Sequence, residues 1–413
     1  MKNFIKLSCC VMVFFCFIFN FIGCSQVKEK SKKINLWLNT NEAEGKEIEK
    51  LAHKWSEENG IDVNVQIDTI NAGGSVEQYL NITNNGTDAR NPNSPDIEFG
   101  LSHEFMEKLE KLNLAEEVPK DIINFDNYIS KDIIDAVTIN DKICAFPISQ
   151  ECPALFYNKN LVSKVPETME GLIQDAKANG FKYDINNLYL SYQFIDANGG
   201  YIFKNNNGTF DKKNIGLNNE GAIKGYKFLQ DLVQTNKLMA QDVNDEMAEV
   251  SFYNGEIAYY IGEAKKLEKM KSTVGDLKLG VAPIPKLNGN TTKTFKGIKM
   301  ALVNPKSEKK EESYKLLKYL IENSKETLIT YGNRLPVFKD ALEIKSFKND
   351  EYLQGFYMQS KDSEIMPNIL ETEVIWGPLQ TNFNLLLTNQ ITPKECGDLI
   401  VKEINDGIKM FKQ

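Results

Sequence analysis

The histidine, cysteine and carboxylate side chains of this sequence are not spaced as a catalytic or metal-binding site requires. Only two histidines occur, His53 and His103, and neither an HExxH nor a paired CxxC spacing is present, so a zinc site would lack its usual ligands. The GxSxG and Walker A motifs are also absent, and Gly73-Gly74 is better explained as a turn than as a phosphate loop. We therefore expect no bound metal and no cofactor.

Length and composition are those of an ordinary globular chain. The 413 residues, of which 42% are hydrophobic and 26% charged, suffice for roughly two or three domains with well-filled cores. The formal net charge of -8 at pH 7 offers no broad basic surface to phosphates. Nucleic acid is therefore not expected as a partner.

Residues 1–23 have the features of an export signal peptide. Lys2 and Lys6 form a positive start, and the apolar run at residues 7–22 is too short for a convincing spanning helix. The run ends in Phe21-Ile22-Gly23-Cys24, which resembles the lipobox of bacterial lipoproteins and would make Cys24 the lipidated N-terminus. Residues 24–33 would then be a polar tether. An ordinary signal peptide with an incidental cysteine is the alternative, and both predict an extracytoplasmic protein.

Hydrophobic periodicity predicts that strands and helices alternate in the N-terminal part of the chain. The elements expected in order are a strand at residues 34–38, a helix that ends at Asn59-Gly60, a strand at residues 61–67, a helix around residues 76–84, a strand at residues 96–99 and a helix at residues 106–112. Such alternation is typical of an α/β domain with a largely parallel sheet.

The remaining chain is predicted to mix extended runs with helices. Residues 136–157 are extended, with a tight turn at Asn140-Asp141 and a bend at Pro147. Cys144 and Cys152 lie too far apart along this segment for a bridge, so we expect no structural disulfide. Further predicted elements are helices within residues 167–236, a hairpin with its turn at residues 205–208, extended runs at residues 257–261, 277–282 and 295–303, and helices at residues 314–322, 352–359 and 396–411.

Several short stretches resemble family 1 of the extracellular solute-binding proteins of bacterial ABC importers, and most nearly the maltose/maltodextrin-binding members of that family. They occur in the same order along nearly the whole exported chain. The stretches are Asn35-Leu36-Trp37-Leu38-Asn39, Ser94-Pro95-Asp96-Ile97, Ala145-Phe146-Pro147-Ile148, Leu155-Phe156-Tyr157-Asn158-Lys159, Asn198-Gly199-Gly200-Tyr201, Phe252-Tyr253-Asn254-Gly255-Glu256 and Glu364-Ile365-Met366-Pro367-Asn368-Ile369 with Trp376.

The resemblance implies a two-lobed α/β fold of the periplasmic-binding-protein type, with a ligand cleft between the lobes. Family topology would place the crossing segments near Gln150, Gly297 and Lys345, so that residues 34–150 and 297–345 form one lobe and residues 151–296 and 346–413 the other. It further implies a non-enzymatic, monomeric receptor that binds an oligosaccharide by aromatic stacking and hydroxyl hydrogen bonds. The implied partners are the transmembrane permease subunits of the importer and, through the lipid, the outer face of the cytoplasmic membrane.

Four residues of this chain fall on ligand-binding positions of the family in its second lobe or at the cleft. Glu151 matches a glutamate that accepts hydrogen bonds from sugar hydroxyls, although most glutamates are merely solvated surface acids. Trp376 matches an aromatic residue that stacks on a sugar ring, and core packing is the alternative. Tyr189 matches another cleft aromatic, whereas Tyr192 is a weaker candidate that could simply be core.

Several positions in both lobes depart from the maltose-binding pattern. Gly100 and Lys265 stand where the family carries stacking tryptophans. His103-Glu104 replaces an Asp-Arg pair, and Asn41-Glu42 replaces an Asp-Lys pair. These four residues are candidate ligand groups, with isolated surface side chains as the alternative, and the departures put maltose itself in doubt.

Two other functions compete with an oligosaccharide receptor. An extracellular glycoside hydrolase would need two carboxylates that flank the scissile bond, and the 57 acidic residues make such a pair easy to propose, but no local acid-pair motif supports it. The same receptor fold could also take a non-sugar polar solute, because one fold hosts varied ligands.

Overall fold

The computed structural model describes residues 33–69, 94–206, 208–272 and 278–410. The predicted signal peptide, the lipidation site at Cys24, the tether up to residue 32, the turn at Gly73-Gly74 and the helix around residues 76–84 lie outside these ranges. Among the residues that are described, no helix has the length and apolar character needed to cross a bilayer.

The strands of the described residues, numbered in chain order, are β1 Ile34–Asn39, β2 Val63–Asp68, β3 Ile97–Ser102, β4 Thr138–Ile139, β5 Lys142–Ile143, β6 Phe146–Glu151, β7 Pro153–Asn158, β8 Phe181–Lys182, β9 Tyr201–Asn206, β10 Thr209–Gly216, β11 Tyr259–Glu263, β12 Leu279–Ala282, β13 Phe295–Val303 and β14 Glu364–Ile365.

The α-helices, numbered in the same way, are α1 Glu42–Asn59, α2 Met106–Lys111, α3 Lys131–Asp135, α4 Met169–Asn179, α5 Leu188–Asp196, α6 Glu220–Gln234, α7 Asp245–Tyr253, α8 Leu267–Ser272, α9 Lys310–Asn323, α10 Lys325–Thr330, α11 Lys345–Lys348, α12 Glu351–Ser360, α13 Trp376–Leu387 and α14 Pro393–Met410.

The first lobe is built on a six-stranded sheet in the order β14-β13-β3-β1-β2, with β6 also paired to β13. The βαβ start is confirmed, because β1 and β2 run parallel on either side of α1 in the chain. Asn41 begins α1 by accepting a hydrogen bond from the Glu44 amide, and Gly60 ends it in the left-handed conformation that glycine adopts without steric cost.

Gly100 causes a bulge in β3 that divides the apolar side chains between the two faces of the first sheet. Its φ of 105° lies in the left-handed region, and the pairing of β3 with β13 shifts register beside it, between Met300 and Ala301. Phe99 therefore packs in the core with α1 and α9, whereas Leu101 packs in the core with α2. The sheet is thus covered on both faces.

The second lobe is built on a four-stranded sheet in the order β12-β7-β11-β8. Leu155 and Ile261 pack on one face into a core shared with α4, α5, α6, α13 and α14. Phe156 and Tyr260 pack on the other face against α7, α8 and α12. The alternation of large apolar residues along β7 and β11 explains this three-layer arrangement, since successive side chains of a strand point to opposite faces.

Most predicted elements are confirmed, with changes at their ends. Asn140 and Asp141 form the predicted tight turn between β4 and β5, both with positive φ. The bend predicted at Pro147 is wrong: Pro147 lies inside β6, where the pairing with β13 skips a residue and so tolerates the missing amide donor. The three described cysteines are buried and free.

Candidate functional site

A polar concavity of the described residues lies at strand ends of both sheets. Asn39 and Asp68 end the parallel strands β1 and β2, Glu151 ends β6 and Glu263 ends β11, and all four line a cavity of about 230 Å³. The loop at residues 332–334 completes its wall. Carboxyl ends of parallel strands share one edge of a sheet, which is where ligands bind in open α/β folds.

Glu151 lies among three positive charges. Its Oε1 is 3.2 Å from Nζ of Lys299 on β13, and its side chain is 29% exposed, so a ligand can reach it. Burial alone would raise the pKa of Glu151, but the charges of Lys299, Arg334 and Lys265 outweigh it and hold the pKa below the ordinary value. Glu151 is therefore an ionised hydrogen-bond acceptor at neutral pH.

Each cation of the cavity is matched by a carboxylate. Nζ of Lys265 is 2.7 Å from Oε2 of Glu263. Nε of Arg334 donates to both carboxylate oxygens of Glu44, at 3.0 and 2.9 Å, and its Nη2 donates to Thr40. The cavity therefore offers many charged donors and acceptors with little net charge, which suits an uncharged polar ligand better than an ion.

Tyr189 brings an aromatic hydroxyl to the same charges. It is the second residue of α5, which the Asn187 side chain caps, and its hydroxyl is buried without a hydrogen-bond partner in the described part of the chain. Burial raises the pKa of Tyr189 well above its usual value, and the charges of Glu151 and Glu263 add to the increase. The hydroxyl is thus a neutral donor beside two carboxylates.

Tyr192 is a core residue. Its ring stacks on Phe295 with centroids 3.9 Å apart, and its hydroxyl donates to Glu364 at 2.5 Å. With an exposed fraction of 2%, it supports β13 and β14 and does not face the cavity.

Trp376 lines a second concavity, separate from the one around Glu151. It is half-buried at the start of α13, packs against the second-lobe core, and shares a space of about 240 Å³ with Asp184, Asn186, Asn187, Leu188 and Gln380. Asn187 and Leu188, at the start of α5, directly precede Tyr189. A flat indole bordered by amides and a carboxylate is suited to stacking on a sugar ring whose edge is hydrogen-bonded.

Asn41 and Glu42 have different environments in the structure. Asn41 lines the cavity, where its side chain caps α1 and donates to the Tyr331 carbonyl oxygen at 3.1 Å. Glu42 is exposed, with 71% of its side chain accessible, and pairs with Lys46 one turn along the helix. That position favours the surface-residue alternative for Glu42.

His103 and Glu104 follow β3 but have different surroundings. His103 is fully buried, with Nε2 2.9 Å from the Met366 carbonyl oxygen and Nδ1 accepting from the Ile298 amide at 3.1 Å. Because both ring nitrogens are occupied by backbone, the geometry favours a structural role. Burial raises the pKa of Glu104; the charge of Lys299 opposes this shift and that of Glu151 adds to it. Glu104 is not among the residues that line the cavity.

Gly100 has a structural reason for lacking the family's tryptophan. A Cβ atom there would lie 2.5 Å from the Asn39 carbonyl oxygen, on a backbone that side chains rarely adopt. Lys265, the other departure, lines the cavity and places a cation where the family has an indole. The cavity is therefore more polar than the maltose-binding pattern predicts.

Sequence reasoning missed several cavity residues: Asn39, Asp68, Glu263, Lys299 and Arg334. The first three each end a strand, and polar residues at the ends of apolar runs were a usable signal. Lys299 was visible as one of two lysines, with Lys296, within the otherwise apolar run of β13. Arg334 gave no local signal, because its partner Glu44 is 290 residues away.

Two α/β lobes with a polar cavity between their strand ends define a two-lobed ligand-binding protein. Among the described residues, no group of three or more histidine, cysteine or acidic side chains is arranged to hold a metal ion. The family described as bacterial extracellular solute-binding protein matches residues 50–355. The chain therefore belongs to that family.

Two curated relatives illustrate the similarity. The galactooligosaccharide-binding protein of Bacillus subtilis (strain 168) is 27% identical over 290 residues, which cover 67% of this chain and 68% of the relative. The maltooligosaccharide ABC transporter solute-binding lipoprotein of Streptococcus pneumoniae (strain ATCC BAA-255 / R6) is 26% identical over 403 residues, covering 94% of this chain and 90% of the relative.

Solved structures agree with the fold. The maltose-maltodextrin binding protein of Alicyclobacillus acidocaldarius superposes with a TM-score of 0.80 at 27% identity, covering 90% of this chain and 100% of that one. A cyclo/maltodextrin-binding protein complexed with maltotetraose superposes with a TM-score of 0.81 at 26% identity, covering 94% and 100%. The two-lobed fold predicted from the sequence is confirmed.

Proposed function

We propose that this chain is the solute-binding protein of an ABC importer for oligosaccharides. The observation that carries the proposal is the cavity around Glu151, where each of three cations is matched by a carboxylate. An uncharged ligand with many hydroxyls can satisfy such donors and acceptors without adding net charge. The names of the relatives, which refer to galactooligosaccharides and maltooligosaccharides, support the same ligand class.

Within this function, we assign direct ligand contacts to Glu151, Tyr189 and Trp376. Glu151 accepts from ligand hydroxyls, Tyr189 donates or accepts near it, and Trp376 stacks on a ring beside the start of α5. Asn41 and Glu104 would contribute from the first-lobe side, while His103 and Tyr192 hold the strands in place and Glu42 remains on the surface.

The two lobes would close on the ligand by rotation about segments near Gln150, Gly297 and Lys345. One lobe would comprise residues 34–150 and 297–345, and the other residues 151–296 and 346–413, except that β14 at Glu364–Ile365 joins the sheet of the first lobe. The ligand would favour the closed state only through the contacts that it makes better there. The closed monomer would then deliver the ligand to the permease subunits, while a lipid on Cys24 keeps it at the outer face of the cytoplasmic membrane.

A thermal-shift and calorimetry screen tests the proposal, with maltotriose, β-1,4-galactotriose and an uncharged non-sugar osmolyte such as glycine betaine as probes. A ligand at 100 times its dissociation constant should add about 2.7 kcal/mol to the stability of the folded state. Stabilisation by betaine and by neither oligosaccharide would favour a non-sugar receptor. Incubation of the protein with excess maltotriose and galactotriose tests for a hydrolase, and many product molecules per protein would contradict a receptor.

Tryptophan fluorescence tests the place of the ligand. Trp37 and Trp55 are buried, at 3% and 4% exposure, whereas Trp376 lines a concavity. Binding of the oligosaccharide should therefore change the emission mainly through Trp376. Trp376→Phe should remove most of the change, and Trp55→Phe, the matched control, should retain it. An undiminished response in Trp376→Phe would remove this residue from the site.

A further inference from the structure

Three polar side chains share one face of the first sheet, and two of them, Asn39 and Asp68, line the cavity. In the pairing of β1 with β2, Asn39 is opposite Asp68, and in the pairing of β1 with β3, Trp37 is opposite Glu98. Residues opposite each other in neighbouring strands point to the same face, and so do alternate residues of one strand. Asn39, Asp68 and Glu98 therefore share the face that leads into the cavity.

Asn39 is held by Glu98 through one of its two polar atoms. Its Nδ2 donates to Glu98 Oε2 at 2.8 Å, and the two residues are 93% and 99% buried, from exposed fractions of 7% and 1%. Asn39 Oδ1 and Glu98 Oε1 have no hydrogen-bond partner in the described part of the chain. Buried acceptors without partners are unfavourable in a folded protein and commonly serve a ligand.

The hydrogen bond to Glu98 also decides which way the Asn39 amide faces. A carboxyl oxygen accepts readily from Nδ2, and with Glu98 ionised the opposite orientation would place two acceptors against each other. Burial raises the pKa of Glu98 well above its ordinary value, the bond from Asn39 opposes this, and the charge of Asp68 adds to it. Even in the uncharged form, the carbonyl oxygen of Glu98 can accept from Nδ2, so Oδ1 remains the atom left for the cavity.

We propose that Asn39 is a ligand-binding residue whose Oδ1 accepts a hydrogen bond from a ligand hydroxyl, and that Glu98 is the positioning residue that orients it. This inference rests on the proposed oligosaccharide-binding function. It makes this part of the cavity selective for a hydroxyl donor, because an amide oxygen such as Asn39 Oδ1 can only accept. A sugar that lacks the contacting hydroxyl, or carries a carboxylate in its place, would be rejected.

Functional-group deletion on both sides of the contact tests the inference. The dissociation constants of maltotriose, β-1,4-galactotriose and the full set of monodeoxy analogues of whichever binds would be measured by calorimetry for the wild type, Asn39→Ala and Asn64→Ala. Asn64 is an exposed asparagine on neighbouring β2 and serves as the matched control. In the wild type and the control, one deoxy analogue should bind about 10-fold or more weaker than its parent. In Asn39→Ala, the parent should weaken by a similar factor and that analogue should lose no further affinity.

Glu98 variants test the positioning role. Glu98→Leu removes the acceptor for Asn39 Nδ2. It should weaken binding of the parent oligosaccharide and reduce the difference in affinity between the parent and the same deoxy analogue. Glu98→Gln retains a carbonyl acceptor and should restore both toward wild-type values. Thermal melting would first establish that each variant folds, and if Glu98→Leu does not, Asn39→Ala and Glu98→Gln still decide the question.

The outcomes separate this inference from the function on which it rests. If neither oligosaccharide binds the wild type, the proposed function fails and the inference fails with it. If one binds and every deoxy penalty is unchanged in Asn39→Ala, only the role of Asn39 is contradicted. Equal losses in Glu98→Leu and Glu98→Gln, with no change in the deoxy penalty, would contradict the positioning role of Glu98.

Discussion

The pH dependence of stability should report the burial of His103 directly. The imidazole is fully buried, Nδ1 accepts from the Ile298 amide and Nε2 faces the Met366 carbonyl oxygen, so the neutral form with its proton on Nε2 matches both partners. Burial lowers the pKa of His103 from 6.5 to about 4, although the bond to Met366 opposes the shift. Protonation would place a charge where no water can solvate it.

The sign and size of the effect follow from linkage. The pKa in the folded state lies below that in the unfolded state, so this histidine's contribution is fully present above pH 6.5 and is lost as the pH falls toward 4. At 1.36 kcal/mol per pKa unit, lowering the pH from 7 to 5 should cost about 2 kcal/mol through His103 alone. Other titrating groups contribute as well, so the measurement must compare variants.

The free energy of unfolding would be measured by urea titration at pH 7 and pH 5 for the wild type, His103→Gln and His53→Gln. Glutamine can accept from Ile298 and donate to Met366 without titrating, so the pH-dependent loss should be about 2 kcal/mol smaller in His103→Gln than in the wild type. His53, the other histidine, has 52% of its side chain exposed and is the control, and His53→Gln should keep the wild-type pH dependence. The same pH dependence in all three proteins would refute the reasoning.

Three further predictions concern the cavity, the bulge and an ion-pair network. Glu151→Gln should weaken oligosaccharide binding by about 10-fold or more in calorimetry, because a charge-assisted acceptor is lost. The control Glu351→Gln, which changes an exposed ion pair with Lys159, should leave the affinity unchanged. Equal affinities of Glu151→Gln and the wild type would exclude Glu151 from the site. Gly100→Ala should lower the free energy of unfolding, measured in urea, by about 1–3 kcal/mol, because φ is positive there and the Asn39 carbonyl oxygen is close. The control Gly377→Ala, where a Cβ atom would meet open space, should cause no such loss. An unchanged free energy of unfolding in Gly100→Ala would contradict the described bulge. Lys212→Met should destabilise the protein, since Nζ of Lys212 lies 2.8 Å from Glu107 and 2.7 Å from Glu371. The loss of unfolding free energy, measured by urea titration, should be smaller at high salt, because salt screens the ion pairs. A loss that does not depend on salt would indicate that packing is responsible.

The sequence predicted the elements best where one period dominated a segment. Ile48, Ala52 and Trp55 at helical spacing, with Gly60 behind them, predict α1 closely, and the alternation around Val63 and Val65 predicts β2. The end of β11 was predicted two residues short, at Ile261, because the pattern turns polar there. The strand continues to the polar residue Glu263, which lines the cavity.

The candidate site was predictable only in part, and the limit is physical. Glu151 and Tyr189 could be named because neighbouring motifs resemble a family, and the structure brings both to one charge cluster. The residues around Glu42 and Glu44 do not tell the two side chains apart. Glu42 is exposed, whereas Glu44, four residues before Ile48, is buried in an ion pair with Arg334. Their difference depends on a segment 290 residues away.

The sequence by itself determined the class of protein, the α/β alternation and the export signal, because each is encoded in short patterns of residue type and spacing. Tertiary structure alone decided that His103 is enclosed by backbone partners, that Gly100 cannot carry a side chain, and that Asn39 faces the cavity with one polar atom unpartnered among the described residues. Burial, hydrogen-bond satisfaction and pKa depend on which distant strands become neighbours, and no local pattern specifies that.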